Sequence, residues 1–395
     1  MNNEIGTNHG YDRIATIDVM RGLAILGIFA VNIFSFHTPY LYADPVTLAE
    51  TAWDKWVYAI VDILAQASFY PLFAFLFGYG LIIIKERVEA RGELAFYPTA
   101  IRRMIGLLLL GMIHAFFIWP GDILVVYAIL GIFLLAFTHL SAKGMTITAI
   151  VLYTVPNLLL VVLAYIASVF VSSEEIYPVQ IAEHVQAIYQ NGSFLEITNQ
   201  RIIDWSYTNW GVGSIQIFFM ILPLLLLGAA FAKQQKLIHT EANTRFFKKM
   251  FCIALPIGLV IKLLPYLGNQ NLSLFVFQDL FGGPIVTAGY ISLIYLIANK
   301  WKQHRLLLLF ANVGRLSLSN YLFQSLICSV IFYSYGFSLY GKVSYVFSTF
   351  LAICIFLIQL YLSKQWLKSY QMGPVEWLLR GITYGKISSL KRREQ

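Results

Sequence analysis

The 395-residue chain is 58% apolar, carries only 12% charged residues and has a net charge of +8. Soluble domains hold about 25% charged residues, so the composition excludes a water-soluble globule. Apolar runs of about 18 or more residues recur along the whole chain and mark an integral membrane protein. The basic residues sit in short loops between those runs, which ties the positive charge to membrane orientation and not to nucleic acid.

Only helices or closed barrels satisfy the backbone in lipid. The apolar runs are continuous and do not alternate, so the sequence predicts an all-α, polytopic membrane helix bundle of about ten transmembrane helices. The spans fall near 17–38, 56–84, 101–119, 122–140, 145–171, 212–232, 250–268, 275–299, 306–334 and 343–367. Glu4, Asp12, Arg13 and Asp18 interrupt the first twenty residues, and no small-residue cleavage site follows the run after Arg21, so this run is expected to stay as the first helix. Asp18 and Arg21 lie three apart on one face at its inner mouth, Asn32 stands about 16 Å higher, and His37 ends it as an interfacial residue. Asp62 lies about 10 Å inside the outer end of the second span. Arg102 and Arg103 open the third, and His114 lies about 9 Å from its outer end. The turn Trp119-Pro120-Gly121-Asp122 then places a carboxylate where it can cap the fourth helix.

Further along, 172–211 reads as an outer loop with Glu174, Glu175, Glu183, Glu196 and Asp204. Helical spacing of Val179, Ala182, Val185 and Ile188, and a second stretch around Ile202, Ile203 and Trp205, predict two short amphipathic helices. They read either as plain surface helices or as a lid over an outer cavity, with Trp205, Tyr207 and Trp210 in the headgroup belt. The eighth span holds Asp279 and then Gly282-Gly283-Pro284, which predicts a kink or break; broken helices also mark transporter sites. Cys252, Cys328 and Cys354 all lie in apolar runs and read as small core residues without metal-ligand spacing. No repeat divides the chain, so 1–395 reads as a single transmembrane domain ending in a basic tail at 386–395.

Every even-numbered connection is basic. Of the 28 Lys and Arg, all but Lys55, Arg201, Lys262 and Lys342 fall on one side. This asymmetry predicts that the basic side, with both termini, is cytoplasmic. It places Arg21, Arg102 and Arg103 at the inner mouth, and Asp62, His114 and Asp122 in the outer half. Ionisable groups at such depths are costly and point to function. A carboxylate orienting an imidazole is a general-base arrangement, so His114 with Asp62 or Asp122 is the candidate catalytic set; the plainer reading is two groups bonded to neighbouring helices. The planar fork of Arg21 suits phosphate, although a snorkelling Arg paired with Asp18 reads equally well.

Several motifs resemble one family. The stretch Asp18-Val-Met-Arg21-Gly22-Leu-Ala-Ile-Leu-Gly27-Ile-Phe-Ala-Val-Asn32 is similar to the opening of YeiB-like membrane proteins, a family of unknown function. Similar too are Leu72-Phe73-Ala-Phe-Leu76-Phe77-Gly78-Tyr-Gly80 and Arg102-Arg103 with Gly111-Met-Ile-His114. So are Gly121-Asp122-Ile-Leu-Val-Val-Tyr127-Ala128 and, in the second half, Gly314-Arg315-Leu-Ser-Leu-Ser-Asn320-Tyr321-Leu-Phe-Gln324-Ser325. The last is Gly373-Pro374-Val-Glu376-Trp377-Leu-Leu-Arg380. The likeness runs from about residue 13 to 385. The opening motif also resembles the transmembrane acyltransferases, many of which carry a His where this chain has Asn32. The branch that resembles heparan-glucosaminide acetyltransferase has Asn there and its His elsewhere. This second resemblance implies acyl-coenzyme A as a cytoplasmic donor and a sugar as acceptor on the far side; on that reading of the residues Arg21, with Arg102 and Arg103, holds the donor's phosphates, and the acceptor is a glycan or lipid of the cell envelope, at the plasma membrane. The alternative from the residues is a small-molecule or ion transporter with its site at a broken helix near Gly282-Gly283-Pro284 and Asp279.

Overall fold

A computed structural model describes residues 8–92, 95–170, 179–267, 272–301 and 304–392. Glu4, Glu174 and Glu175, and Lys302 and Arg393 from the count of basic residues, lie outside these residues, as do the side chains of Asp12 and Arg13. Among the described residues the chain is helical throughout, apart from loops and one isolated antiparallel bridge between Tyr370 and Lys391. In chain order the helices are α1 (Asn8–His37), α2 (Ala52–Leu64), α3 (Phe69–Arg91), α4 (Phe96–Phe117), α5 (Leu124–Phe137) and α6 (Ala142–Phe170). Then follow α7 (Val179–Asn191), α8 (Phe194–Asn209), α9 (Val212–Lys233), α10 (Glu241–Leu267) and α11 (Leu272–Phe277). A π turn (Gln278–Gly282) leads into α12 (Gly283–Lys300). The last four are α13 (Arg305–Arg315), α14 (Ser317–Phe332), α15 (Tyr345–Ser369) and α16 (Pro374–Tyr384).

Eight helical stretches among these are long and apolar enough to cross a membrane, and α13 with α14 forms a ninth, bent by 78°. The protein is a polytopic membrane helix bundle. All ten predicted spans are helical, but two depart from a straight crossing. One is the bent pair. The other is α5, whose 14 residues reach only about 21 Å at 1.5 Å per residue, short of a hydrocarbon core of about 30 Å. Its start is delayed by the Pro120-Gly121 turn, which cannot continue α4. The second span crosses as one stretch, Ala52–Ala90, with a short turn between α2 and α3 where Ala67 takes a left-handed backbone conformation with φ 55°.

Helices in lipid gain little from apolar burial against one another, so close approach of backbones carries the packing. Two contacts show this. At the crossing of α1 and α13, a Cβ on Gly314 would stand 1.8 Å from the carbonyl oxygen of Asp18, and one on Gly22 would stand 2.1 Å from that of Phe310. At the crossing of α3 and α9, a Cβ on Gly78 would meet Leu225 O, and one on Gly228 would meet Phe75 O, each at 1.9 Å.

The disruption expected at Gly282-Gly283-Pro284 takes the form of the π turn, and the helix runs on through it from Leu272 to Lys300. Pro284 has no N–H to give to Leu280 O four residues earlier. That carbonyl instead accepts the Tyr153 hydroxyl at 2.5 Å. The Gly283 N–H bonds Gln278 O, five residues back. A hydroxyl from another helix thus completes the backbone that the proline leaves short.

The helices α7 and α8 form where the amphipathic pattern predicts them. Ser193 and Glu196 close a capping box at the start of α8. They are anchored, not floating: Arg201 of α8 is fully buried. It donates to Phe117 O at 2.9 Å and to the Tyr335 hydroxyl at 2.7 Å, and it lies 5.1 Å from the Tyr333 ring centre. Tyr207 and Trp210 are exposed, whereas Trp205 is half-buried beside Phe116.

Candidate functional site

Two groups of cavities lie along α1, α3 and α5. At the end of the bundle rich in basic residues is a cavity of about 350 Å³, walled by Arg21, Arg87, Arg103 and Arg315, with Asp18 and Glu376 among them. Four guanidiniums face two carboxylates, so the rim carries a positive excess suited to a polyanion. Arg21 donates to Asp18 at 3.4 Å and keeps a third of its side chain open. Deeper, the walls turn apolar and aromatic, with Phe73, Phe77, Leu124 and Tyr127.

Glu376 reaches this cavity from α16, outside the spans. One of its oxygens accepts the backbone N–H groups of Leu318 at 2.7 Å and Ser319 at 3.1 Å, and the other accepts the Ser319 hydroxyl at 2.5 Å. It therefore caps α14 from a different helix, satisfying amides that a helix start leaves free. Burial pushes the Glu376 carboxyl above its ordinary value, and the Ser319 and Leu318 bonds pull against that.

At the other end, a second cavity of about 350 Å³ is lined by Asn32, Gln66, Tyr70, Pro120, Gly121, Asp122 and Tyr321. It adjoins a third of about 270 Å³, with which it shares Val31, Asn32, Gln66, Pro120, Gly121 and Thr208. The α7 and α8 side chains Val185, Tyr189, Asp204 and Thr208 line that third cavity, so these two helices form part of its wall. Asp204 accepts the hydroxyls of Tyr42 at 2.7 Å and Tyr189 at 2.6 Å and the amide of Gln200 at 2.7 Å. Burial raises its carboxyl above 3.8, opposed by those three donors and by Arg201.

Asp122 does two jobs at once. Its Oδ1 accepts the Val125 N–H at 2.8 Å, starting α5, and its Oδ2 lies 2.7 Å from His114 Nδ1. Both side chains are buried, and His114 Nε2 has no partner in the described structure. Gly111 makes room for this contact: a Cβ there would stand 2.9 Å from Asp122 Oδ1. His114 itself stands one side chain back from the cavity, behind Asp122 and the ring of Tyr321 at 5.0 Å, both of which line it.

The two cavities come within about one helical turn of each other. On α3, Tyr70 faces the far cavity and Phe73 the basic one; on α5, Ile123 and Val126 face the far cavity, Leu124 and Tyr127 the basic one. Tyr127 donates to Tyr70 O at 3.1 Å and stacks on Phe73, so aromatic side chains form the septum.

Of the anticipated site residues, the structure brings His114 and Asp122 together. Asp62 belongs to a different group: it accepts Tyr266 at 2.8 Å and Gln278 at 2.5 Å. Arg21 and Arg103 line the basic cavity. Arg102 does not; it is exposed and lies near Gly385 at the end of α16. His37 ends α1 fully buried, against Phe332 and Tyr345. Arg87, Arg315, Glu376 and Gln66 escaped the sequence reading as site residues. Arg315 and Glu376 stand inside the quoted motifs, which was the available signal; for Arg87 and Gln66 there was none.

A helical bundle crossing the membrane, with charged and polar groups held in internal cavities at both ends, defines a multi-pass membrane protein. A family profile described as "Protein of unknown function (DUF418)" matches residues 231–386. Over 389 residues, and 94% of each chain, the protein is 36% identical to the "Uncharacterized protein YxaH" of Bacillus subtilis (strain 168). It is 30% identical to the "Uncharacterized protein YeiB" of Escherichia coli (strain K12), over 94% of this chain and 96% of that one. It is also 27% identical to an "Uncharacterized 39.9 kDa protein in amylase 3'region" of Bacillus acidopullulyticus, over 95% of each. The chain belongs to the YeiB-like family of proteins of unknown function.

Proposed function

We propose that this protein is an acyltransferase of the plasma membrane, with its basic end in the cytoplasm. It would move an acyl group from acyl-coenzyme A to a hydroxyl of a cell-envelope glycan or lipid. The observation that carries this reading is the alignment of two unlike cavities. One has a guanidinium rim for phosphates, and the other abuts a buried His114–Asp122 pair whose Nε2 is free, with a septum about one turn thick between them. Arg21, Arg103, Arg87 and Arg315 hold the donor's phosphates. The thioester passes the septum of Tyr70, Phe73 and Tyr127. Asp122 fixes the imidazole tautomer through Nδ1, leaving Nε2 as the base. The acceptor O–H gives its proton to Nε2 as the new C–O bond forms and the C–S bond breaks; the proton then passes to the departing thiolate. The ring of Tyr321 must turn aside for the acceptor to reach Nε2. Asn32, at the position where many transmembrane acyltransferases carry a His, lines the same cavity as Asp122, which supports the shared layout.

The test uses purified protein in nanodiscs, labelled acetyl-coenzyme A and an envelope extract as acceptor. Transfer of label is the expected result. His114→Gln and Asp122→Asn should lower it by about two to four orders of magnitude, and Arg21→Ala should weaken donor binding. Equal transfer by His114→Gln would remove the base; absence of both binding and transfer would sink the reading.

A further inference from the structure

A second polar group lies inside the spans, away from the His114–Asp122 pair, and three elements build it. The end of α2 supplies Asp62 and, just beyond, Gln66. One face of α10 supplies Lys262 and Tyr266, four residues apart. The π turn supplies Gln278 and Asp279. Lys262 donates to Asp279 Oδ1 at 3.2 Å, and Gln66 lies 3.4 Å from its Oδ2. Tyr266 and Gln278 both donate to Asp62 Oδ2. Lys262 and Gln278 are fully buried and Asp62 nearly so, while the Asp279 side chain keeps 35% of its surface open.

The charges do not balance. The charged groups acting on Asp279 are Lys262 and Asp62, so two carboxylates share one ammonium. The phenols of Tyr40, Tyr58, Tyr70, Tyr153 and Tyr266 surround them and carry no charge in the neutral range. A net negative charge inside a membrane is strongly disfavoured unless a cation completes it. A second observation points the same way: Gln278 Oε1, on the amide that already binds Asp62, is buried with no donor in the described structure.

We propose that Asp62 and Asp279 share one proton, making the Asp62–Lys262–Asp279 group a neutral proton-binding site within the membrane, reached through Gln66. Gln66 lines both far-end cavities and touches Asp279, so its amide links the site to the cavity, and Asp279 is the more open of the two carboxyls. The proposal does not rest on acyl transfer, because it concerns charge balance in residues apart from His114 and Asp122.

Infrared difference spectroscopy on the full-length protein in nanodiscs at neutral pH tests it. The protonated carboxyl C=O signal should be one group larger in wild type than in Asp62→Asn or in Asp279→Asn, because either change leaves a single carboxylate paired with Lys262. Lys262→Met should add a second protonated carboxyl, and Lys262→Arg should match wild type, which separates loss of charge from misfolding. Identical spectra for wild type and both Asn variants would mean that both carboxylates are ionised and would overturn the proposal. Erasure of the signal by sodium at constant pH would assign the position to a metal cation and overturn it equally.

Discussion

Asp204 shows how a residue outside the spans becomes a pH-sensitive element. It is buried, accepts three hydrogen bonds and has no salt bridge within 4.0 Å among the described residues. Its folded carboxyl titrates above 3.8 because burial outweighs those bonds. A raised carboxyl stabilises the fold below the unfolded value, and this contribution is lost as pH rises through the folded value. Asp204→Asn cannot ionise. Its melting temperature should therefore fall less steeply than that of wild type as pH is raised from 3.8; parallel profiles would show that Asp204 is not the titrating group. The residue scale also marks where sequence reading stops. His114 and Asp122 are eight residues apart across one turn, so their meeting was within reach of a local argument. Asp62 has a comparable depth, but depth along a helix does not say which way a side chain faces, and Asp62 turns toward Tyr266 and Gln278, more than 200 positions away. Arg201 falls in the connection between two apolar runs, which says nothing of its neighbours; its aromatic box comes from Tyr333 and Tyr335, more than 130 positions distant.

At the scale of elements, apolar runs locate the helices well because lipid forces every spanning backbone group to bond internally. What they leave open is the internal shape. Pro284 foretells a disturbance, but whether it becomes an unwound break or a π turn depends on Tyr153, 127 positions away, supplying a hydroxyl. At the 78° bend between α13 and α14, too, a partner comes from outside: Glu376 on α16 caps the start of α14. Removing that carboxylate leaves the Leu318 and Ser319 amides without their acceptor. Glu376→Ala should cost about 1–3 kcal/mol, and it should speed tryptic cleavage at Arg380 as α16 loosens. Glu376→Gln, which keeps one acceptor oxygen, should fall between. Thermal melting and a digestion time course read both effects, and an Ala variant as stable and as protected as wild type would show that the cap is idle.

The whole molecule is two-ended. Basic side chains crowd one end, where the Arg-lined cavity opens, and the far end holds the His114–Asp122 pair under α7 and α8. The proposed orientation puts the basic end in the cytoplasm, on the positive-inside rule. Cysteine labelling tests this in a background lacking Cys252, Cys328 and Cys354. An impermeant thiol reagent on intact cells should modify Lys342→Cys and spare Lys391→Cys until lysis. The reverse pattern would put the Arg-lined cavity outside the cell, away from any coenzyme A.

Glu376 has one more consequence, which concerns time. A ribosome delivers the chain from its N-terminus. Arg21 therefore enters the membrane early, while the carboxylate that seats α14 is made after all of the spans. Until α16 emerges, the Leu318 and Ser319 amides lack their acceptor and the Arg-lined cavity lacks a wall.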